Sequence, residues 1–164
     1  MSGSRKSLKK PEEWEIERLK RKLDYQYYTG IGDLLLEPEI RVLRSSRTGR
    51  IREIYLNGKL LAVVRLKDGH LLISIEGAKK IVRKLPPPHL RVVVSEEAAP
   101  FISKGRSVYA KHVIKVDTRL RPGNEVIIVD EKDNVLAVGR LFLSPREITE
   151  FRRGVAVRTR KTIR

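Results

Sequence analysis

The sequence predicts an α+β protein in two units, an N-terminal helix with an antiparallel meander followed by a small mixed β barrel. Three observations predict it. Residues 11 to 28 carry apolar side chains at helical intervals. The following stretch alternates apolar and polar residues between Thr48-Gly49, Asn57-Gly58 and Asp68-Gly69. Residues 90 to 164 then hold five short strand-like segments and two short helical ones. Alternation broken by Asn-Gly and Asp-Gly is the strongest local signal for hairpins.

Residues 1 to 10, basic with Ser and Gly and no periodicity, read as a mobile arm. From Pro11, suited to a first helical turn, to about Tyr28, the residues Trp14, Leu19, Leu23 and Tyr27 predict a helix with one packed face. The meander is expected in "RVLRSS", "RIREIYL", "KLLAVVRL" and "HLLISI", with a short helix from Glu76 to Leu85 closing a domain of residues 11 to 85. The prolines of "PPPH", Pro86 to His89, can neither continue a helix nor pair inside a sheet, so they mark a linker. Beyond it come strand "LRVVVS", helix "EEAAPFISK" with Ser95 as N-cap, and "SVYAKHVIKV" as one alternating strand. Strands "EVIIVD" and "VLAVGRLFLS", helix "PREITEFRR" and strand "VAVRTRKTI" complete the barrel of residues 90 to 164.

Charge narrows the function. The chain carries 36 Lys and Arg against 20 Asp and Glu, a net +16, and the excess is +4 over residues 1 to 22, +5 over 23 to 89 and +7 over 90 to 164. Basicity spread through the folded body makes a polyanion the expected partner class. A cysteine count of zero excludes disulfides, thiolate zinc sites and a cysteine nucleophile. The three histidines, His70, His89 and His112, lack metal-ligand spacing, so no metal or other cofactor is expected. No apolar run reaches the roughly twenty residues of a membrane span, and "MSGSRKSLKK" lacks the apolar core of a secretion signal. A cytoplasmic protein without a membrane partner is the expectation.

The segments "RVVVSEEAAPFISKGRSVYAKHV", "RPGNEVIIVDEKDNVLAVGRLFLS" and "RGVAVRTRK", in that order, resemble a PUA domain, the small pseudo-barrel carried by many RNA-modifying enzymes. Upstream, "DYQYYTGIGD" and "SSRTGRIREIYLNGKLLAVVRLKDGHLLISIEGA" are similar to the accessory segment that precedes the PUA domain in archaeal tRNA-guanine transglycosylases, the archaeosine-forming enzymes. The resemblance implies RNA binding and a tRNA-modification context. The catalytic barrel of those enzymes, with its acidic nucleophile and cysteine-rich zinc site, is not represented in this sequence.

Candidate contacts follow. In "SKGRS", Gly105 ends a helix between Lys104 and Arg106. It either serves only as a helix cap or also lets a phosphodiester approach the backbone between two cations. Lys111 is expected on the outward face of the next strand with Tyr109 and Lys115. His112 is expected on the inner face with Val108, Ala110, Ile114 and Val116. The C-terminal strand places Arg158, Arg160, Thr162 and Arg164 on one face, opposite Val155, Val157 and Ile163, and repulsion along such a row points to a missing polyanion; Lys161 is a further candidate contact on the same strand. A basic row on an edge strand also discourages edge pairing. The arginines at 41, 44, 47, 50 and 52 form a second, weaker stripe.

The expected activity is non-catalytic recognition of structured RNA, tRNA first, by shape and phosphate contact, alone or beside a tRNA-modification enzyme. With 5% aromatic residues, a stacking platform is not expected. The alternatives are a minimal RNA or nucleotide transferase, for which no phosphate loop or nucleophile-base set is found, and a ribosome-associated structural protein.

Overall fold

The computed structural model describes residues 7–163, which form two compact units dividing between Gly77 and Ala78. In the first, helix α1 (Glu13–Gln26) starts from a reciprocal cap in which the Glu12 N–H donates to Glu15 Oε1 at 3.0 Å. Its buried stripe is Leu19 and Leu23 together with Glu15, not Trp14, which is 61% exposed. The five-residue step from Trp14 to Leu19 carries a side chain about 140° around a helix, so the tryptophan expected in the packed face falls off it. Glu15 is buried because it is paired: Arg44 Nη1 donates to its Oε2 at 2.8 Å and Arg44 Nη2 to its Oε1. This bond holds the Glu15 carboxyl below its usual range and the Arg44 guanidinium above its own.

Helix α2 (Ile31–Leu35) was not expected from the sequence. It packs so tightly on α1 that a Cβ at Gly32 would lie 2.5 Å from the Lys20 carbonyl oxygen. Strands β1 (Arg41–Arg44), β2 (Ile51–Leu56), β3 (Lys59–Val64) and β4 (Leu71–Ile73) form the expected meander in the order β1-β2-β3-β4. Asn57 and Gly58 both take positive φ, the two-residue turn that matches strand twist. The end of α1 is tied to edge strand β4: the Leu71 N–H donates to Gln26 Oε1 at 3.0 Å, and Tyr27 Oη donates to the Leu71 carbonyl at 2.7 Å. The other edge corrects the N-terminal arm. Lys9 pairs with Val42 through bonds of 3.1 and 2.8 Å, so the chain docks earlier than its composition suggests; residues 1 to 6 lie outside the described residues.

Helix α3 (Ile75–Lys84) leads into the second unit. A six-stranded sheet is built there from β5 (Arg91–Val94), β6 (Val108–Tyr109), β7 (Val113–Val116), β8 (Glu125–Val129), β9 (Val135–Leu141) and β10 (Val155–Thr162). Its order is β6-β10-β9-β8-β5-β7, with only β5 and β8 parallel among the paired strands. The two edges, β6 and β7, are halves of one segment joined by a 3-10 turn at Ala110–His112, so the sheet rolls into a nearly closed barrel. The expected continuous strand is therefore broken, because it must leave β10 to reach β5. The turn also shifts the alternation: Val113 and Val116 are buried, and Ile114, expected inside beside a half-buried His112, is exposed. Short helices α4 (Ala99–Ile102) and α5 (Pro145–Phe151) flank the barrel. Helix α5 opens on a capping box in which Ser144 and Glu147 bond each other's backbone N–H, and these bonds lower the Glu147 carboxyl.

Arg91 is wholly buried and joins α3 to the barrel. Its Nε and Nη2 each donate to Asp133 at 2.9 Å, Nη2 also to the Val82 and Leu85 carbonyls, and Nη1 to those of Pro86 and His89. One guanidinium thus satisfies the last carbonyls of a helix and both oxygens of a carboxylate. Asp117, also buried, accepts from the Leu90 and Arg119 N–H groups, so these carboxylates at turn signals have structural partners.

Candidate nucleic-acid interface

Helix α4 carries Pro100 in its first turn, where the missing N–H costs nothing, and the chain behind it tightens to the end of "SKGR". The Gly105 N–H then donates to the Ile102 carbonyl at 2.9 Å and the Arg106 N–H to the Phe101 carbonyl at 3.2 Å, the pair of bonds of a Schellman motif. Gly105 takes φ +103°, and a Cβ there would meet nothing within 4 Å. Conformation, not crowding, requires the glycine, and the space above it is open. Lys104 and Arg106 on either side are exposed.

This cap is fastened to the C-terminal strand. Thr159 Oγ1 donates to the Arg106 carbonyl at 2.8 Å, and Val157 pairs with Val108 just beyond it. Lys104, Gly105, Arg106 and the middle of β10 therefore share one edge of the barrel. Arg158 is exposed and its guanidinium lies 5.2 Å from the centroid of the Phe142 ring, a cation-π contact that fixes the side chain over the outer sheet face.

Other expected residues are placed differently. The register of β10 against β9 slips between Thr159 and Lys161, so Arg160 is the extra residue of a bulge and not one of an alternating row. Its guanidinium is half-buried, 3.4 Å from Glu125 Oε2, so part of its charge is answered within the protein. Lys161 is exposed beyond the bulge, and Arg164 lies outside the described residues. Lys111 is exposed on the 3-10 turn, with its carbonyl accepting from Arg152 Nη2 at 2.9 Å.

The composition hid one class of residue. All three phenylalanines, Phe101, Phe142 and Phe151, and Tyr109 are exposed on this unit. Few aromatic residues do not mean few available rings, and four exposed rings on this unit are open to base stacking. An apolar residue next to a helix or strand is ordinarily read as core, and only the fold reveals which rings face outward. Among the described residues, no group of three or more His, Cys, Asp or Glu could hold a metal ion, and no helix is long and apolar enough to cross a membrane.

A helix-meander unit followed by a mixed pseudo-barrel, with a glycine cap set between exposed cations, defines a two-unit α+β protein ending in a nearly closed six-stranded barrel. Residues 17–88 match the patch-forming domain C2 of tRNA-guanine transglycosylase, and residues 90–163 match the PUA domain. The chain thus carries a C2-type domain ahead of a PUA domain. It is 40% identical over 147 residues to the tRNA-guanine(15) transglycosylase of Methanothermobacter thermautotrophicus, covering 90% of this chain and 22% of that one. With the enzyme of the same name from Pyrococcus abyssi it shares 50% identity over 118 residues, 72% of this chain and 20% of that one. The chain spans about a quarter or less of the length of these two relatives. Among solved structures, a hypothetical protein of Pyrococcus horikoshii OT3 aligns with TM-score 0.73 at 24% identity, covering 94% of this chain and 93% of that one. A conserved PUA domain protein from Thermoplasma acidophilum aligns with TM-score 0.72 at 20% identity, covering 96% and 94%. Both likenesses concern the fold of the whole two-unit chain.

Proposed function

We propose that this protein binds structured RNA, tRNA above all, through the barrel edge formed by Lys104, Gly105, Arg106 and β10, and that it acts as an RNA-gripping module without chemistry of its own. The observation that carries the reading is the open backbone at Gly105, flanked by two exposed cations and fastened by Thr159 to the strand bearing Arg158. A phosphodiester can approach such a backbone closely, and the cations on either side supply the charge. Arg158 and Lys161 extend the contact, Lys111 flanks it, and Arg160 positions the bulge more than it meets phosphate.

The C2 and PUA matches, and relatives named for transglycosylation of tRNA guanine, support a tRNA-modification setting. In that setting the chemistry belongs to a catalytic domain or partner and this chain supplies grip. The test is a titration of labelled tRNA across a salt series. Log affinity falls linearly with log salt, with a slope reporting several displaced counterions. A flat salt response contradicts the reading.

A further inference from the structure

The first unit contains a second basic surface that the barrel edge does not use. The β1–β2 loop (residues 45 to 50), the β3–β4 loop (residues 65 to 70) and the N-terminal half of α1 enclose an open groove. Seven cations line it against two carboxylates, Glu15 and Asp68. Both carboxylates are already engaged, Glu15 by Arg44 and Asp68 by Arg65, whose Nε donates to Asp68 Oδ1 at 2.9 Å. The walls are braced as well: Lys22 Nζ donates to the Gly69 carbonyl at 2.9 Å, and Ser45 Oγ accepts from the Arg47 and Thr48 N–H groups at 3.2 Å each. That leaves Arg18, Arg50, Arg52 and Lys67, all exposed and without a carboxylate partner among the described residues.

An aromatic ring stands at the mouth of this field. Trp14 is 61% exposed, and Tyr25, 92% exposed, lies eleven residues further along α1 on the same side. By the rise of an α-helix their backbone positions are about 16 Å apart along the axis, with Arg18, Arg21 and Lys22 between them. Unneutralised cations alternating with exposed rings are what a sequence-tolerant single-strand site uses, since phosphates take the cations and bases stack on the rings. An apolar protein partner would cover the rings but would leave the unpaired arginines desolvated without counter-charge.

We infer that the groove of the first unit is a second RNA site, which takes an unpaired RNA segment with a base on Trp14 and its phosphates on Arg18, Arg50, Arg52 and Lys67. The inference rests on the RNA-binding reading above and adds a separate surface to it. Trp14 is the sole tryptophan, so indole emission reports this groove and nothing else.

The experiment titrates the full chain with an end-labelled single-stranded oligouridylate, following label anisotropy for binding anywhere and indole emission for binding here. Expected are saturable quenching of Trp14 with the same midpoint as the anisotropy, and an affinity loss of about five- to a hundred-fold in Trp14→Ala. Trp14→Phe should recover part of that loss, and Arg18→Ser with Arg50→Ser should weaken binding and flatten its salt dependence. Lys104→Ser with Arg106→Ser should leave the quenching at saturation unchanged. Binding by anisotropy with constant emission, and Trp14→Ala within twofold of the parent, overturns the groove while sparing the barrel edge. Absence of any binding to the oligouridylate or to tRNA overturns both. Emission that shifts with protein concentration alone identifies the patch as a protein contact and also overturns the proposal.

Discussion

Replacing Arg91 by lysine keeps the charge and removes the fork. The buried guanidinium makes six contacts of 2.8 to 3.2 Å, two to Asp133 and four to the carbonyls of Val82, Leu85, Pro86 and His89. A lysine has three donors on one nitrogen, so at least three of those acceptors lose their partner. Each neutral bond lost leaves a penalty of about 1 kcal/mol, and a bond to the carboxylate somewhat more, for about 3 to 4 kcal/mol in all. Asp133, partly exposed, recovers some hydration, which keeps the figure at the low end of the range for disrupted buried ion pairs. The assay is urea unfolding followed by circular dichroism, joined to amide exchange of residues 82 to 91, where protection should fall first. A variant within about 0.5 kcal/mol of the parent, with unchanged protection, would refute the view that this one side chain ties α3 to the barrel.

Three further outcomes follow from the same structure. Because Arg44 holds the folded Glu15 carboxyl below its unfolded value, the pair stabilises the first unit above the ordinary glutamate range of about pH 4.3, and this stability is lost as pH falls through the folded value. Urea midpoints of the parent and Glu15→Gln should therefore converge on acidification, and parallel pH profiles would contradict the pairing. Gly105→Ala should cost about 1 kcal/mol from the positive φ alone, since a Cβ there meets no neighbour. If RNA approaches that backbone, tRNA affinity should fall further than the loss of stability explains, whereas unchanged affinity would make Gly105 a cap only. Arg160→Ser should lower the salt slope for tRNA less than Arg158→Ser, because Glu125 already answers part of the Arg160 charge; equal slopes would contradict that assignment.

The parts of the fold that were legible in the sequence are those fixed locally. Asn57-Gly58 sets a turn by backbone conformation, "PREITEFRR" reads as a helix from its own residues and forms α5, and the alternation of β2 and β3 shows in their own side chains. The illegible parts are decided at a distance. The break at Ala110–His112 exists because one segment must serve both edges of a closing sheet, and the bulge at Arg160 arises from pairing with β9. Neither signal lies in the residues that bend. Burial of Glu15 and Arg91 depends on partners 29 and 42 positions away, so each looks like an ordinary surface charge until the fold supplies the counter-charge. For the site, Gly105 between two cations was readable as a motif, while the outward rings of Phe101, Phe142 and Trp14 were not, because an apolar residue carries no local mark of the side it will face.

Whether the edge around Gly105 grips RNA is decided by comparing two double variants that remove equal charge. Lys104→Ser with Arg106→Ser strips the candidate contact, and Lys84→Ser with Lys132→Ser removes two exposed cations elsewhere on the same unit. At matched thermal stability, tRNA affinity is measured for both across a salt series. The first pair should lose about tenfold or more and lower the salt slope by roughly one to two ions, while the second should change affinity by less than about twofold. Equal losses in the two pairs would mean that only the overall field matters and would contradict the claim.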